Sequence, residues 1–285
     1  MVQTRLLSPA DAPALQFYLA AQADCRVMML NNLERSGIAD GEVPYRGVYA
    51  GQFDDGELIG CLGFFWNGMV LSHAPSGHAA MLALAQAASP RKLVGVAGPV
   101  ADVEACIKAV APHTGMPRQA RRETLYGLSL DNMIVPAPLQ SGAISVRRAE
   151  AGDRDLVIAW RVNMLEETRI GYSAAELHAL AQTEMDNLLA AGLVWLAEKD
   201  GTPVAKATTI ALVAGRACVG GVWTPPALRG QGYARAVVAG QMQHLMRQGI
   251  SRGVLFTGQQ NHQAQRAYEA LGFSELGSWA AALFA

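Results

Sequence analysis

The stretch from Gly220 to Phe273 constrains this chain more than any other. It reads GGVWTPPALRGQGYARAVVAG and, further on, LFTGQQNHQAQRAYEALGF. A strand is expected over Arg216–Trp223. Pro225 and Pro226 then force the chain out of the sheet. Arg229-Gly230-Gln231-Gly232-Tyr233-Ala234 runs straight into an amphipathic helix, expected over Tyr233–Gln248 and stopped by Gly249. A strand over Gly253–Thr257 and a helix over Asn261–Leu271 follow, and Gly272-Phe273 leads into a last strand. Strands alternating with helices in this way build a sheet covered by helices.

The glycine loop has a chemical consequence. Two glycines permit tight turns and a close approach of backbone to ligand. The first N–H groups of the helix have no internal partner and carry partial positive charge. Together they form an anion cradle suited to a phosphate or pyrophosphate, with Arg229 as a fixed charge beside it. Such loops also occur as plain structural turns. The pattern is not a Walker loop, because GxxxxGK[ST] is absent. It is not a nicotinamide fingerprint either: position 235 is Arg where GxGxxG needs glycine, and no acidic residue follows about 20 residues on.

The remaining chain divides in two. Met133–Ala143, MIVPAPLQSGA, carries Pro136 and Pro138 and is the expected boundary, giving domains 1–138 and 143–285. After it, ISVRRAEAGDRD reads as strand, acidic turn and helix, and TRLLSPADAPAL near the N-terminus is a weaker echo. The first half is read as a helix over Ala14–Ser36 and a hairpin of Tyr45–Phe53 and Leu58–Phe65 about Asp54-Asp55-Gly56. A helix at His78–Ala88 and a strand at Lys92–Ala97 follow. A helix opened by Gly98-Pro99 and a strand at Glu123–Leu130 complete it. The second half is read as helices Asp153–Leu165 and Ala174–Ala190, the latter with Ser173 and Glu176 as a capping box. Strands Leu193–Lys199 and Val204–Val213 follow. The expected class is α/β (α+β): two domains, each a mixed, mostly antiparallel sheet with helices on both faces.

Composition narrows the function classes. Hydrophobic residues are 51% and charged residues 16%, against roughly 25% charged in an average domain, so the chain is not disordered. The net charge of -1 gives no global field toward nucleic acid, and no nucleic-acid partner is expected. Leu58–Pro90 lacks Asp, Glu, Lys and Arg, but its glycines, Asn67 and Pro75 mark a hairpin followed by a helix rather than a membrane span. No signal peptide is read at the N-terminus. Cys25, Cys61, Cys106 and Cys218 are widely spaced, as expected of free thiols in the cytoplasm. No His/Cys/Asp cluster has metal-ligand spacing. His244 is read as surface and His262 as loop surface. Ala234, Val237, Val238, Leu245 and Met246 are read as a core-packing stripe. The low charge content also leaves room for a homodimer interface.

The spacing R-x-x-G-x-A followed by N-x-x-A-x-x-x-Y-x-x-x-G-F resembles the Gcn5-related N-acetyltransferases (GNAT superfamily) over Ile144–Ala285. The resemblance implies that Arg229, Gly232 and Ala234, with the backbone amides of Gly230, Gln231, Gly232, Tyr233, Ala234 and Arg235, bind the pyrophosphate of acetyl-CoA. It implies that Asn261 contacts the pantetheine or ribose-phosphate region and that Val222, Trp223 and Thr224 pair with the pantetheine arm. Tyr268 would lie near the thioester sulfur and act as general acid. Glu166 and Glu167 are the candidate bases, with a water chain as the alternative. Met164–Tyr172 resembles the acceptor-side helix and loop. Gly220-Gly221 suggests a β-bulge turning an N–H toward the thioester carbonyl; an ordinary glycine-containing strand is the other reading. The first half resembles a second copy without its cofactor loop, with VGVAGPVADVEA at the matching place. The expected activity is acetyl transfer to a primary amine of a small molecule or peptide. A silent CoA-binding module and an aminoacyl-tRNA-dependent transferase stay open as alternatives.

Overall fold

The computed structural model describes residues 1–168 and 172–284. Part of the expected acceptor-side segment, 169–171, therefore lies outside the described residues, as does Ala285. Two compact units emerge, 1–125 with 277–285, and 126–276.

The first unit holds β1 (Gln3–Leu6), α1 (Ala12–Ala20), α2 (Val27–Ser36), β2 (Gly47–Asp54), β3 (Glu57–Phe65), β4 (Met69–His73), α3 (His78–Ala87), β5 (Gly95–Pro99) and α4 (Val100–Thr114). β6 (Gln119–Ser129) begins in it and ends in the second unit. Pairing is antiparallel from β1 to β4 and parallel between β4 and β5. The second unit holds α5 (Ala137–Gln140), β7 (Ser145–Arg148), α6 (Arg154–Thr168), α7 (Ala174–Ala190), β8 (Val194–Lys199), β9 (Thr202–Val213), β10 (Arg216–Trp223), α8 (Tyr233–Met246), β11 (Arg252–Gly258) and α9 (His262–Glu269). Its pairing repeats the scheme: antiparallel from β7 to β10, then parallel from β10 to β11. β12 (Ser274–Leu283) ends in the first unit, antiparallel to β5.

The repeat extends to side chains. In the first unit Arg5 pairs with Asp11 at 2.6 Å, and Asp11 accepts from the Ser8 backbone N–H. In the second, Arg147 pairs with Asp153 at 2.6 Å, and Asp153 accepts from the Glu150 N–H. Each device ties the first strand to the turn that starts a helix, and the guanidinium holds each aspartate carboxyl below its ordinary range.

Two apolar layers flank the second sheet. Ala205, Ala207, Ala217 and Val219 meet Ala236, Val237 and Met242 of α8. On the other face Val194, Leu196 and Trp223 meet Val157 and Trp160 of α6 and Leu177, Ala181 and Met185 of α7. Gly240 is required where α8 crosses β7, because a Cβ there would lie 2.5 Å from Val146. The expected narrow stripe on α8 is broader in fact: Ala234 is half-buried, and polar Gln241 is buried with its Nε2 donating to Thr209 Oγ1 at 2.8 Å. His244 is half-buried rather than surface, its ring 5.1 Å from that of Trp195. The Ser173–Glu176 capping box forms at the start of α7.

Other expectations change. The helix expected over Ala14–Ser36 breaks into α1 and α2, because the chain turns at Ala21–Arg26 and lays the Arg26 guanidinium 4.0 Å above the Tyr18 ring. The uncharged run holds a third strand, β4, entered through Gly68 at φ 74. Pro99 caps α4 from outside its first turn. By contacts the compact units divide at 125/126, where Tyr126, Leu128 and Leu130 join the core of the second unit. The segment VGVAGPVADVEA is the β5–α4 junction. The counterpart of the β10–α8 loop is instead Ala74–Gly77 between β4 and α3. Gly77 (φ 76) and Gly232 (φ 81) both cap their helices in the left-handed region.

Candidate active site

The site of the second unit lies where its two parallel strands part. β10 and β11 pair from Arg216–Arg252 to Val219–Leu255 and no further. At that point β10 also shifts register against β9, between Gly220 and Trp223. Gly221 sits at φ 54, a conformation that disfavours any other residue. The bulge expected at Gly220-Gly221 is therefore present. Gly220 is needed for space as well, since a Cβ would lie 2.6 Å from Ile210.

Beyond Trp223 the chain turns at Pro225-Pro226, makes a 3-10 turn over Pro226–Leu228, and enters α8 through Gly230 (φ 79) and Gly232 (φ 81). Ala236 N–H donates to Gly232 O and starts the helical ladder. Among the described residues, no backbone N–H from Gly230 to Arg235 donates to a protein acceptor. Six consecutive amides at one helix start are thus left for solvent or an anion. Three buried polar atoms nearby also lack partners: Trp223 Nε1, Thr224 Oγ1 and Thr208 Oγ1. Buried polar groups are ordinarily satisfied, so these three atoms are open to water or a ligand. Val222 is half-buried on the same strand end.

Arg229 is not free beside this loop. Its Nη2 donates to both carboxylate oxygens of Glu167, at 2.6 and 2.9 Å, and its Nε donates to Thr224 O at 3.1 Å. Glu167, a candidate base, is therefore engaged with a guanidinium, while its neighbour Glu166 is exposed. The Gln231 side chain accepts from the Tyr233 hydroxyl at 2.9 Å. The Arg235 side chain folds back toward Gly232.

Asn261 caps α9, its Oδ1 accepting from Ala264 N–H at 3.1 Å, and His262 beside it is exposed. Tyr268 is buried among Leu271, Phe273 and Val219. Burial pushes its phenol above the ordinary value, so it stays protonated at neutral pH.

One residue was not singled out by its sequence context. Lys206 of β9 is fully buried, and its Nζ donates to Gly221 O at 3.1 Å, holding the bulge carbonyl. Its pKa is lowered to about 7, by burial first and then by Arg161, with Glu184 opposing both. A single lysine in the apolar strand VAKATTIALV is the one signal that marked it.

Among the described residues no group of three or more His, Cys, Asp or Glu is placed to hold a metal ion. No helix among them is long and apolar enough to cross a membrane.

Residues 160–273, which contain the splayed strands, the amide cradle and α9, match the model of the acetyltransferase (GNAT) family. That segment is similar to the GNAT family. Members of that family are acyl-CoA-dependent N-acyltransferases. Solved structures agree in fold across the whole chain. A GNAT-family acetyltransferase from Colwellia psychrerythraea superimposes with a TM-score of 0.57 at 15% identity, covering 100% of both chains. A GCN5-related N-acetyltransferase from Sphaerobacter thermophilus gives 0.56 at 18% identity, covering 99% of this chain and 96% of its own. A tandem GNAT protein from the clavulanic acid biosynthesis pathway gives 0.54 at 14% identity, covering 100% of this chain and 99% of its own. No curated protein matches the sequence.

Proposed function

We propose that the GNAT domain transfers an acetyl group from acetyl-CoA directly to a primary amine, with both substrates bound at once. The run of unpartnered amides from Gly230 to Arg235 carries this reading, because it offers a pyrophosphate a row of donors at a helix start. The pantetheine amides would pair with the free edge of β10 at Val222–Thr224, which β11 leaves open. The orphaned Trp223 Nε1 and Thr224 Oγ1 would find partners there.

In the reaction the amine nitrogen attacks the thioester carbonyl carbon and its C–S bond then breaks. The carbonyl oxygen takes up charge near the Gly221 bulge, where backbone N–H groups stabilise it. The leaving thiolate takes a proton from the Tyr268 hydroxyl, and the amine gives up its proton to water or to Glu166. The first unit repeats this element order with a shorter loop, Ala74–Gly77, in which Ala74 stands where the second unit has Arg229 and Pro75 lacks an N–H.

Tyr268→Phe tests the reading. Turnover is expected to fall about 10²–10⁴-fold, measured by release of free CoA thiol over an amine panel, with acetyl-CoA affinity retained. The engagement of Glu167 by Arg229 favours a second reading, a CoA-binding module without acyl transfer. In that case wild type and Tyr268→Phe bind acetyl-CoA alike and neither releases thiol. Glu167→Gln is expected to release Arg229 toward the phosphates. Acetyl-CoA affinity rises a few-fold, about 2–5-fold, and stability changes by less than about 1 kcal/mol because both partners are half-exposed. Calorimetric titration and urea denaturation read the two effects.

A further inference from the structure

The first unit has a polar cavity of its own. About 370 Å³ opens beyond the ends of the parallel strands β4 and β5, at the topological position that the candidate active site occupies in the second unit. Its walls include Tyr18, Arg26, His73, Pro75 and Asp102. Crevices outside the carboxyl ends of parallel strands are the usual ligand positions in such sheets.

Two opposite charges are buried in this wall. Arg26 is 8% exposed and Asp102 7%. The Arg26 guanidinium lies 4.0 Å from the centre of the Tyr18 ring and its Nη1 donates to Tyr18 O, but its buried Nε has no partner. Asp102 stands in the first turn of α4, and its Oδ2 accepts from Ala74 N–H at 2.7 Å and from Ser72 Oγ at 3.4 Å. His78 Nε2 lies 3.6 Å from the same oxygen and is itself buried without a hydrogen bond. Arg26 and Asp102 make no ion pair with each other. His73 is held neutral, because burial and then Arg26 lower its pKa to about 3. The cavity therefore presents a guanidinium and a carboxylate that do not pair with each other, with the His78 ring against the carboxylate. A buried guanidinium with no carboxylate partner is costly, and a ligand carboxylate removes that cost; a ligand ammonium adds to the single His78 contact of Asp102.

We propose that this cavity is a second binding site, for a small zwitterion with the charge pattern of a free α-amino acid, its carboxylate on Arg26 and its ammonium on Asp102. The guanidinium fork suits a carboxylate, and the Tyr18 ring beneath holds it in plane. Oδ1 of Asp102, which has no hydrogen bond among the described residues, accepts from the ammonium. The site is independent of acyl transfer by the second unit.

Calorimetric titration of the full chain with the twenty α-amino acids tests this. At least one is expected to bind with a Kd of about 1 mM or tighter. Its amide, which lacks the carboxylate, and its N-acetyl derivative, which lacks the ammonium, bind at least about 10-fold more weakly. Asp102→Asn keeps an acceptor for the Ala74 N–H yet removes the charge, and is expected to weaken binding about 10-fold or more. Arg26→Gln does the same, and Arg26→Lys, which keeps charge without the fork, supplies the test if the glutamine variant does not fold. Acetyl-CoA binding stays unchanged in each folded variant, so this test and that of the transferase fail separately. Absence of heat from every amino acid at about 10 mM, equal binding of the amide, or undiminished binding by folded Asp102→Asn and Arg26→Lys would each overturn the proposal.

Discussion

Gly232→Asp is expected to abolish acetyl-CoA binding, by at least about 100-fold, while the fold persists. Gly232 occupies φ 81 at the N-cap of α8, a region that Asp and Asn tolerate better than other side chains. An added Cβ would lie 3.2 Å from an Arg235 guanidinium nitrogen, the far end of a flexible side chain that can move. Space therefore does not decide the outcome. Charge does: a carboxylate at the mouth of the six amides competes for them and repels the diphosphate. Gly232→Asn separates the two effects, because it adds the same volume without the charge. Titration calorimetry should give near-normal affinity for Asn and none for Asp. Equal losses in both would assign the effect to backbone strain instead.

The second large effect concerns Lys206. Its folded pKa, about 7, lies below 10.5, the ordinary lysine value that the unfolded chain keeps. Between these values the unfolded chain binds the proton more readily, so folding stability rises with pH from about 7 toward 10.5 and is lowest below 7. Lys206→Met keeps the length of the side chain and removes the charge. The variant should lose that rise and gain on the order of 3–5 kcal/mol over the parent at pH about 6. Loss of the donor to Gly221 O offsets about 1–3 kcal/mol of the gain. Urea denaturation of both proteins at several pH values reads the difference. A parallel pH dependence in parent and variant would show that the amine does not titrate in this range. The bulge carbonyl is also released in the variant, so acyl-transfer turnover should fall even where stability improves, the trade expected of a strained functional site.

Much of the second unit was legible because its signals are local. Pro225-Pro226 ends a strand, Gly230 and Gly232 supply left-handed turns, and Ser173 with Glu176 caps α7; each needs only its own neighbours. The hairpin at Asp54-Asp55-Gly56 is equally local, with both turn residues at positive φ. What escaped was tertiary. β4 hides in an uncharged run where alternation between buried and exposed faces is lost, since nearly all its residues are buried. The pairing of β12 with β5 joins segments far apart in the chain, and no local pattern encodes it. The contact of Arg229 with Glu167 is of the same kind. Lys206 alternates with Ala205 and Ala207, so a strand reading turns it to solvent; only the cover of α6 and α7 on that face makes it buried. Ala74–Gly77, the counterpart in the first unit of the β10–α8 loop, follows β4 and is hidden for the same reason.

The proposed role of the amides from Gly230 to Arg235 is to hold the diphosphate of a coenzyme A thioester. Backbone amide resonances followed during titration with CoA test it most directly. These six signals are expected to shift together and saturate at one affinity, with the resonances of α7 and of the first unit unmoved. Six unmoved signals in the presence of bound CoA, or no binding at all, would contradict it.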